Sequence, residues 1–350
     1  MGLVGCGGIA RGAHIPAFLS IENAEVIAVC DIIKERADDA AKRLGAKNVF
    51  TDFNELIAMK DIEMVDICTP NYLHSEIAIA ALNAGKHAFS EKPDAITVEK
   101  AIAMKEAADR SGKKLMVMRN WRYAPSCRYI KEYISEQKCG EIYAGRCGWI
   151  RRRGIPGKGG WFTTKEQSGG GPLIDLGVHI IDLSMWMMGN PKPVSVSGSV
   201  YTKFAKNDDL ADSEHAAFGD KKEDGTFDVE DLAIGMIKFD NGACIQFEFS
   251  WASNIEQEYG FIEMRGTKAG FKWEGSDNIS PLTLYTNDVF SLKPNLPPSK
   301  PTHAENLRHF IDDVLINGKT PDFTPEQGVE MIKILTSIYK SAETGKEVVL

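Results

Sequence analysis

The chain has 350 residues, long for one hydrophobic core, so two domains are the default expectation. Its hydrophobic content of 43% and charged content of 26% are those of an ordinary soluble globular protein, and a net charge of -8 argues against nucleic acid as a partner, because phosphate binding needs a cationic surface. No apolar run approaches the roughly twenty residues that span a bilayer, and Met1 leads directly into a strand without a signal peptide, so a cytoplasmic protein with no membrane association is expected. Cys6, Cys30, Cys68, Cys127, Cys139, Cys147 and Cys244 form no C-x-x-C pair, which reads as reduced thiols and no metal site.

Met1–Val4 reads as a short apolar strand, Gly5-Cys6-Gly7-Gly8-Ile9-Ala10 as a glycine-rich turn entering a helix, and Glu25–Cys30 as a second strand ending at Asp31. That order fits the dinucleotide fingerprint G-x-G-x-x-A. Gly5 makes the tight turn, Gly7 and Gly8 let backbone approach a pyrophosphate, and Ile9 and Ala10 open the helix whose N-terminus attracts the anion. Asp31 stands where a carboxylate accepts both ribose hydroxyls of an adenosine. It would repel a 2′-phosphate, and Ile32 and Ile33 supply no cation, so NAD is expected over NADP despite Lys34 and Arg36 nearby. The first strand has almost nothing before its turn: either it is very short or the natural chain starts upstream.

Through residue 119, helical patterns at Ile33–Leu44, Ser75–Ala84 and Val98–Ser111 alternate with strands at Met64–Cys68, His87–Ser90 and Leu115–Met118. The alternation implies βαβ units and a doubly wound parallel sheet, with ligands beyond the carboxyl ends of the strands. Those ends carry Thr69-Pro70-Asn71 with His74, a polar turn that either caps a helix or lines the cofactor, and Glu91-Lys92-Pro93. On chemistry alone Lys92 is better read as a solvated lysine beside a glutamate.

From residue 120 to 350 a second, α+β domain is expected. Pro125–Glu136 reads as a helix and Ile142–Ile150 as a strand, followed by the basic, glycine-rich and aromatic loop from Arg151-Arg152-Arg153 to Trp161-Phe162. Arg153 and Trp161 could bind hydroxyls and stack on a sugar ring; a loop tied down by salt bridges explains the same residues. In Ser168-Gly169-Gly170-Gly171-Pro172-Leu173-Ile174-Asp175-Leu176-Gly177-Val178-His179, Pro172 suits the first turn of a helix running to about Met188. Asp175 and His179, four apart, share one face, with Asp182 a turn further on. Imidazole titrates near neutral pH, so His179 can take the proton of a secondary alcohol, Asp175 can hold the imidazole or the hydroxyl, and Lys92 can polarise the forming carbonyl or relay the proton. Strands at Val194–Phe204, Val229–Phe239 and Ala243–Trp251, the last two joined by Asp240-Asn241-Gly242, predict an antiparallel sheet, extended by Tyr259–Arg265, Phe271–Trp273 and Leu282–Tyr285. Residues 204 to 228 read as a solvated loop. Helices at Ala304–Asn317 and Pro325–Ser341 close the chain.

The glycine turn, Asp31, Thr69-Pro70-Asn71 with His74, Glu91-Lys92-Pro93, Asn120-Trp121-Arg122-Tyr123 with Pro125, and Asp175, His179 and Asp182 together resemble the Gfo/Idh/MocA family, the glucose–fructose oxidoreductase and inositol dehydrogenase group. The resemblance implies a Rossmann domain over 1–119 and a substrate-binding and oligomerisation domain with a large open sheet over 120–350. It also implies a Lys92–Pro93 bond in the cis form with Lys92 beside the nicotinamide. Further implications are a catalytic trio of Lys92, Asp175 and His179, substrate contacts that include Arg122, and a homodimer or homotetramer formed through the second sheet. The expected activity is NAD-dependent oxidation of a ring secondary alcohol in a sugar, sugar derivative or cyclitol. An NAD-dependent glycosidase using transient ring oxidation and a non-catalytic sugar-responsive regulator are the alternatives.

Overall fold

The computed structural model describes residues 1–205, 219–275, 281–288 and 290–350, so residues 206–218 of the expected solvated loop lie outside the described residues. By their contacts the residues divide into two units, Met1–Asn120 with Lys300–Ile332, and Trp121–Ser299 with Lys333–Leu350.

The first unit is built on a parallel sheet of β1 (Gly2–Val4), β2 (Ala28–Cys30), β3 (Asn48–Phe50), β4 (Met64–Ile67), β5 (His87–Ser90) and β6 (Leu115–Val117). Their order is 3-2-1-4-5-6, the doubly wound arrangement of dinucleotide-binding folds. The strands are short and apolar, with every residue of β1, β2, β4 and β6 buried, as expected of a parallel sheet covered on both faces. β3 has no counterpart among the strands predicted from sequence. Its three residues are all half-buried at the sheet edge, so Asn-Val-Phe carries no apolar run to give it away. Helix Asn71–Asn83 begins four residues before the predicted Ser75, directly after Pro70. Helix Val98–Ser111 starts at Thr97, whose hydroxyl accepts the Lys100 amide at 3.3 Å, and stops at Gly112 in the left-handed region.

Residues 300–332 do not belong with the second unit, where the sequence division at residue 120 had put them. Helix Thr302–Arg308 runs on into the π-helical turn His309–Ile316. Leu307, Phe310, Ile311 and Val314, spaced to share one face, join the core of Leu3, Val29, Phe89 and Met116. The backbone amide of Arg119 donates to Asn306 Oδ1 at 2.7 Å. The Arg119 guanidinium lies 4.0 Å over the Phe323 ring and holds the buried Asp94 at 2.5 Å.

The second unit is an eight-stranded sheet. Its strands are β7 (Ile142–Ile150), β8 (Pro193–Tyr201), β9 (Leu232–Phe239), β10 (Cys244–Ser250), β11 (Tyr259–Gly266), β12 (Ala269–Gly275), β13 (Leu282–Thr286) and β14 (Val348–Val349), in the order 13-12-11-7-10-9-8-14. All neighbours are antiparallel except β7 and β10. The β9–β10 hairpin turns through Asn241-Gly242 with Gly242 at φ +84°, the conformation that selects glycine there. Aromatic side chains fill the core of this unit: the Trp121 ring meets Trp149 and Trp273 edge-on at 6.1 and 5.5 Å, and the buried Trp273 indole donates to Ser126 Oγ at 3.0 Å. Among the described residues no helix is long and apolar enough to cross a membrane.

Breaking one side of a buried ion pair strands the other charge, at a cost of about 3–5 kcal/mol. Asp94→Ala is therefore expected to speed amide hydrogen exchange across Leu115–Val117 and Thr302–Arg308. Fluorescence from the tryptophans, which all lie in the second unit, should stay native-like at room temperature. Unchanged exchange would show that Arg119 does not depend on Asp94.

Candidate active site

The glycine turn is fixed by covalent geometry before any ligand is considered. Gly5 has φ +89°, and a Cβ on it would come within 2.5 Å of the Cys68 carbonyl oxygen and 2.8 Å of the Thr69 nitrogen, so both conformation and space require glycine. Gly7 and Gly8 differ: a Cβ on either would meet nothing within 4 Å, leaving their backbone open to an approaching group. Asp31 clasps this turn. One carboxylate oxygen accepts the Cys6 amide and the other the Ile33 amide, both at 2.8 Å. Ile32 is 86% exposed beside it, and Lys34 is paired with Asp38 at 2.7 Å. Burial, then the Asp31 charge, pushes the Cys6 thiol up to about 12, so the cysteine inside the turn is inert. Ile9 is half-buried and precedes a π-helical turn, Ala10–His14, that leads into helix Ile15–Ser20. An open glycine backbone closed by a carboxylate fits the pyrophosphate and ribose of a dinucleotide.

At the ends of β4 and β5 the side chains are tied to one another. His74, predicted beside the cofactor, is buried with both ring nitrogens at backbone oxygens, Nδ1 2.8 Å from Pro93 and Nε2 2.8 Å from Thr69. It therefore staples the Thr69-Pro70-Asn71 turn to the residue after Lys92. Burial pulls its pKa down against the two carbonyls, which favour the charged form. The Lys92–Pro93 bond is cis, and the half-buried Lys92 donates its amide to Glu91 Oε2 at 3.1 Å.

Glu91 leads to a cluster the sequence reading missed. His14 is wholly buried, with Nδ1 2.7 Å from Asp66 Oδ2 and Nε2 2.9 Å from Glu91 Oε1. Burial alone would lower the His14 pKa, but the Asp66 charge, with Cys68 and the hydrogen bonds, holds it well above the usual imidazole value. Glu91 is held far below the usual carboxylate range because its bond to His14 and the His14 charge overcome its own burial. Cys68 Sγ lies 3.7 Å from the same Asp66 oxygen and is kept a thiol by burial and by that carboxylate. The available signal was Asp66 itself, an acid inside the apolar strand Met64-Val65-Asp66-Ile67.

In the second unit the predicted helix is present, but Leu173–Gly177 forms a π-helical turn before the α-helix Val178–Met187. Such wide turns recur at functional sites. Its start is seated on Glu230, which was not anticipated. Glu230 is buried, accepts the amides of Gly171 and Leu173 at 3.0 and 3.1 Å, and receives the Tyr339 hydroxyl at 2.8 Å. Burial raises its pKa against these donors. A Cβ on Gly177 would stand 3.2 Å from the Phe249 ring, so the helix packs closely there. Asp175 and His179 are both half-buried; Asp175 Oδ2 accepts the Trp251 indole N–H at 3.0 Å, and the His179 ring lies 6.4 Å from that of Trp149.

Three substrate residues proposed from sequence have protein partners. Arg122 is 1% exposed and grips Asp182 through two bonds of 2.8 and 2.7 Å, tying the Asn120–Tyr123 turn to the helix rather than lying open to a ligand. Arg153 donates to the Ser253 carbonyl and Asn254 Oδ1 at 2.9 and 2.8 Å. Arg152 binds the Ile255 carbonyl, and Arg151 pairs with Glu258 while lying 5.1 Å over the Trp149 ring. Trp161 stacks on Phe162 at 3.7 Å. Of the three arginines, Arg151 borders the tryptophan next to His179.

Residues 1–119 match the model of an oxidoreductase family with an NAD-binding Rossmann fold, and residues 127–272 match the GFO/IDH/MocA C-terminal domain. D-glucoside 3-dehydrogenase of Escherichia coli K12 is 32% identical over 99% of this chain and 96% of its own length. Levoglucosan dehydrogenase of Pseudarthrobacter phenanthrenivorans is 32% identical over 80% of this chain and 75% of its own. A solved levoglucosan dehydrogenase in complex with NADH and levoglucosan superposes with a TM-score of 0.85 at 26% identity, covering 100% of this chain and 98% of that one. With both family models matched in order and a relative similar along its full length, the chain belongs to the Gfo/Idh/MocA family of oxidoreductases.

Proposed function

We propose that the protein is an NAD-dependent dehydrogenase that oxidises a ring secondary alcohol of a sugar, sugar derivative or cyclitol. The observation that carries this reading is the Asp31 carboxylate clasped to the amide of Cys6 within an open glycine turn. An anion there favours ribose hydroxyls and disfavours a 2′-phosphate. The full-length likeness to a glucoside dehydrogenase and the likeness to a levoglucosan dehydrogenase support a polyhydroxylated substrate.

Gly5, Gly7, Gly8 and Ile9 would present backbone to the pyrophosphate and Asp31 would hold the ribose. Thr69, Pro70 and Asn71 would border the nicotinamide, with His74 and Glu91 fixing the backbone around Lys92. When bound, the nicotinamide supplies the hydride acceptor. The chain's own part is proton handling: His179 accepts the hydroxyl proton, Asp175 orients the imidazole or the hydroxyl, and the Lys92 ammonium stabilises negative charge developing on the substrate oxygen. Arg153 and Trp161 would contact the sugar only if their loop releases its present partners, whereas Trp149 already offers an aromatic ring beside His179.

The outer face of the second sheet exposes Ile234, Met236 and Tyr285. We assign it to self-association into a dimer or tetramer; Met236→Glu is expected to lower the mass measured by light scattering, and an unchanged mass would remove this face from the interface.

His179→Ala should lower turnover at neutral pH by about a hundredfold or more with NAD affinity nearly unchanged, because general-base assistance is of that size. Full rate in this variant would reassign the base. Asp31→Ala should do the reverse, weakening NAD at least about tenfold, since hydrogen bonds to a charged group contribute roughly 1.5–3 kcal/mol. An absorbance screen for NADH over pyranoses, inositols and anhydrosugars should find a substrate that accumulates NADH. Cleavage of a glycoside without net NADH would establish a glycosidase instead, and no turnover of any kind would leave a sensor.

A further inference from the structure

The roles above leave unexplained a fully buried charge cluster in the first unit. Asp66 and Glu91 accept hydrogen bonds and cannot donate them as carboxylates, yet each faces a nitrogen of the His14 ring at under 3 Å. A neutral imidazole has one N–H, so either tautomer would aim a lone pair at a carboxylate oxygen in the dry interior. With both side chains ionised, only the imidazolium donates to both. Asp66 has a second reason to need it: its Oδ1 is buried with no hydrogen-bond partner, and its other neighbour, the Cys68 thiol, is no cation. The remaining ionisable ring packed on His14 is His303, at 6.4 Å between centroids, with Phe89 on the other side at 6.5 Å.

The cluster spans three elements. His14 ends the π-helical turn after the glycine loop, Asp66 lies within β4, and Glu91 follows β5. The second oxygen of Glu91 receives the amide of Lys92, while His74 reaches the carbonyl of Pro93. The backbone carrying Lys92 is therefore gripped on both sides, and one grip is anchored in the cluster. We propose that His14 is a cationic positioning residue that locks the Glu91 carboxylate, and through it the Lys92 backbone, to the helix leaving the dinucleotide turn. Buried out of reach of any ligand, His14 is not catalytic. The proposal rests on the role given to Lys92 in the proposed function.

The sign of the pH dependence follows. A raised folded-state pKa means that His14 adds stability below the unfolded imidazole value, and that this is lost as pH rises through the higher folded value. Glu91, with a depressed pKa, adds stability above the unfolded carboxylate value, lost only as pH falls through its lower folded value.

Nitrogen-15 NMR of histidine-labelled wild-type protein tests the charge directly. The expected result is a His14 ring protonated on both nitrogens at a pH above the ordinary imidazole value of about 6.5, assigned by its loss in His14→Gln. A neutral ring at about pH 7.5 would overturn the proposal. Kinetics test the positioning: His14→Gln and Glu91→Gln should each lower kcat roughly tenfold to a hundredfold, the scale of a small misplacement, with KM and NAD affinity changed less than about twofold. Parallel losses in kcat, KM and NAD affinity would mark a merely structural residue and also overturn it. If wild-type protein turns over no sugar, the proposed function has failed, whereas the NMR result still decides the charge of His14.

Discussion

The cofactor end of the first unit depends on a close approach that only glycine permits. At Gly5 the chain leaves β1 with positive φ and passes against the Cys68 carbonyl, so the ends of β1 and β4 share a space too small for a Cβ. That approach sets the Cys6 amide where Asp31, at the end of β2, can take it. From the same loop the chain continues to His14, whose ring reaches Asp66 and Glu91. Open glycine backbone, clasped carboxylate and buried histidine–carboxylate cluster are thus consequences of one tight turn.

The second unit solves a related problem differently. The helix bearing Asp175 and His179 begins in a run of glycines, poor helix formers, so its start needs outside support. Glu230 supplies it with two amide contacts at the positive end of the helix, reinforced by the Tyr339 hydroxyl, and Trp251 fixes Asp175. Arg122, which the family resemblance had placed among the substrate contacts, and Asp182 brace the same helix from inside. Half-buried Asp175 and His179 are left on a supported scaffold, as the proton-transfer role proposed for them requires.

What could be read from the sequence was whatever local chemistry announces. The glycine turn with Asp31, the Asn241-Gly242 hairpin and helix Val98–Ser111 are written in consecutive residues. β3 was not legible because three half-buried edge residues make no pattern. The long-range pairings were not legible either: His14 meets Asp66 across 52 positions and Glu91 across 77, and Arg122 meets Asp182 across 60. The membership of residues 300–332 in the first unit follows from an apolar helix face whose destination the sequence does not state.

The proposed preference for NAD rests on a carboxylate clasped into a glycine turn. Calorimetric titration of the wild-type protein with NAD and with NADP measures that preference. The expected result is saturable NAD binding at one site per chain, with NADP weaker by at least about tenfold, the cost of setting a phosphate against the Asp31 charge. NADP binding as tight as NAD or tighter would contradict it.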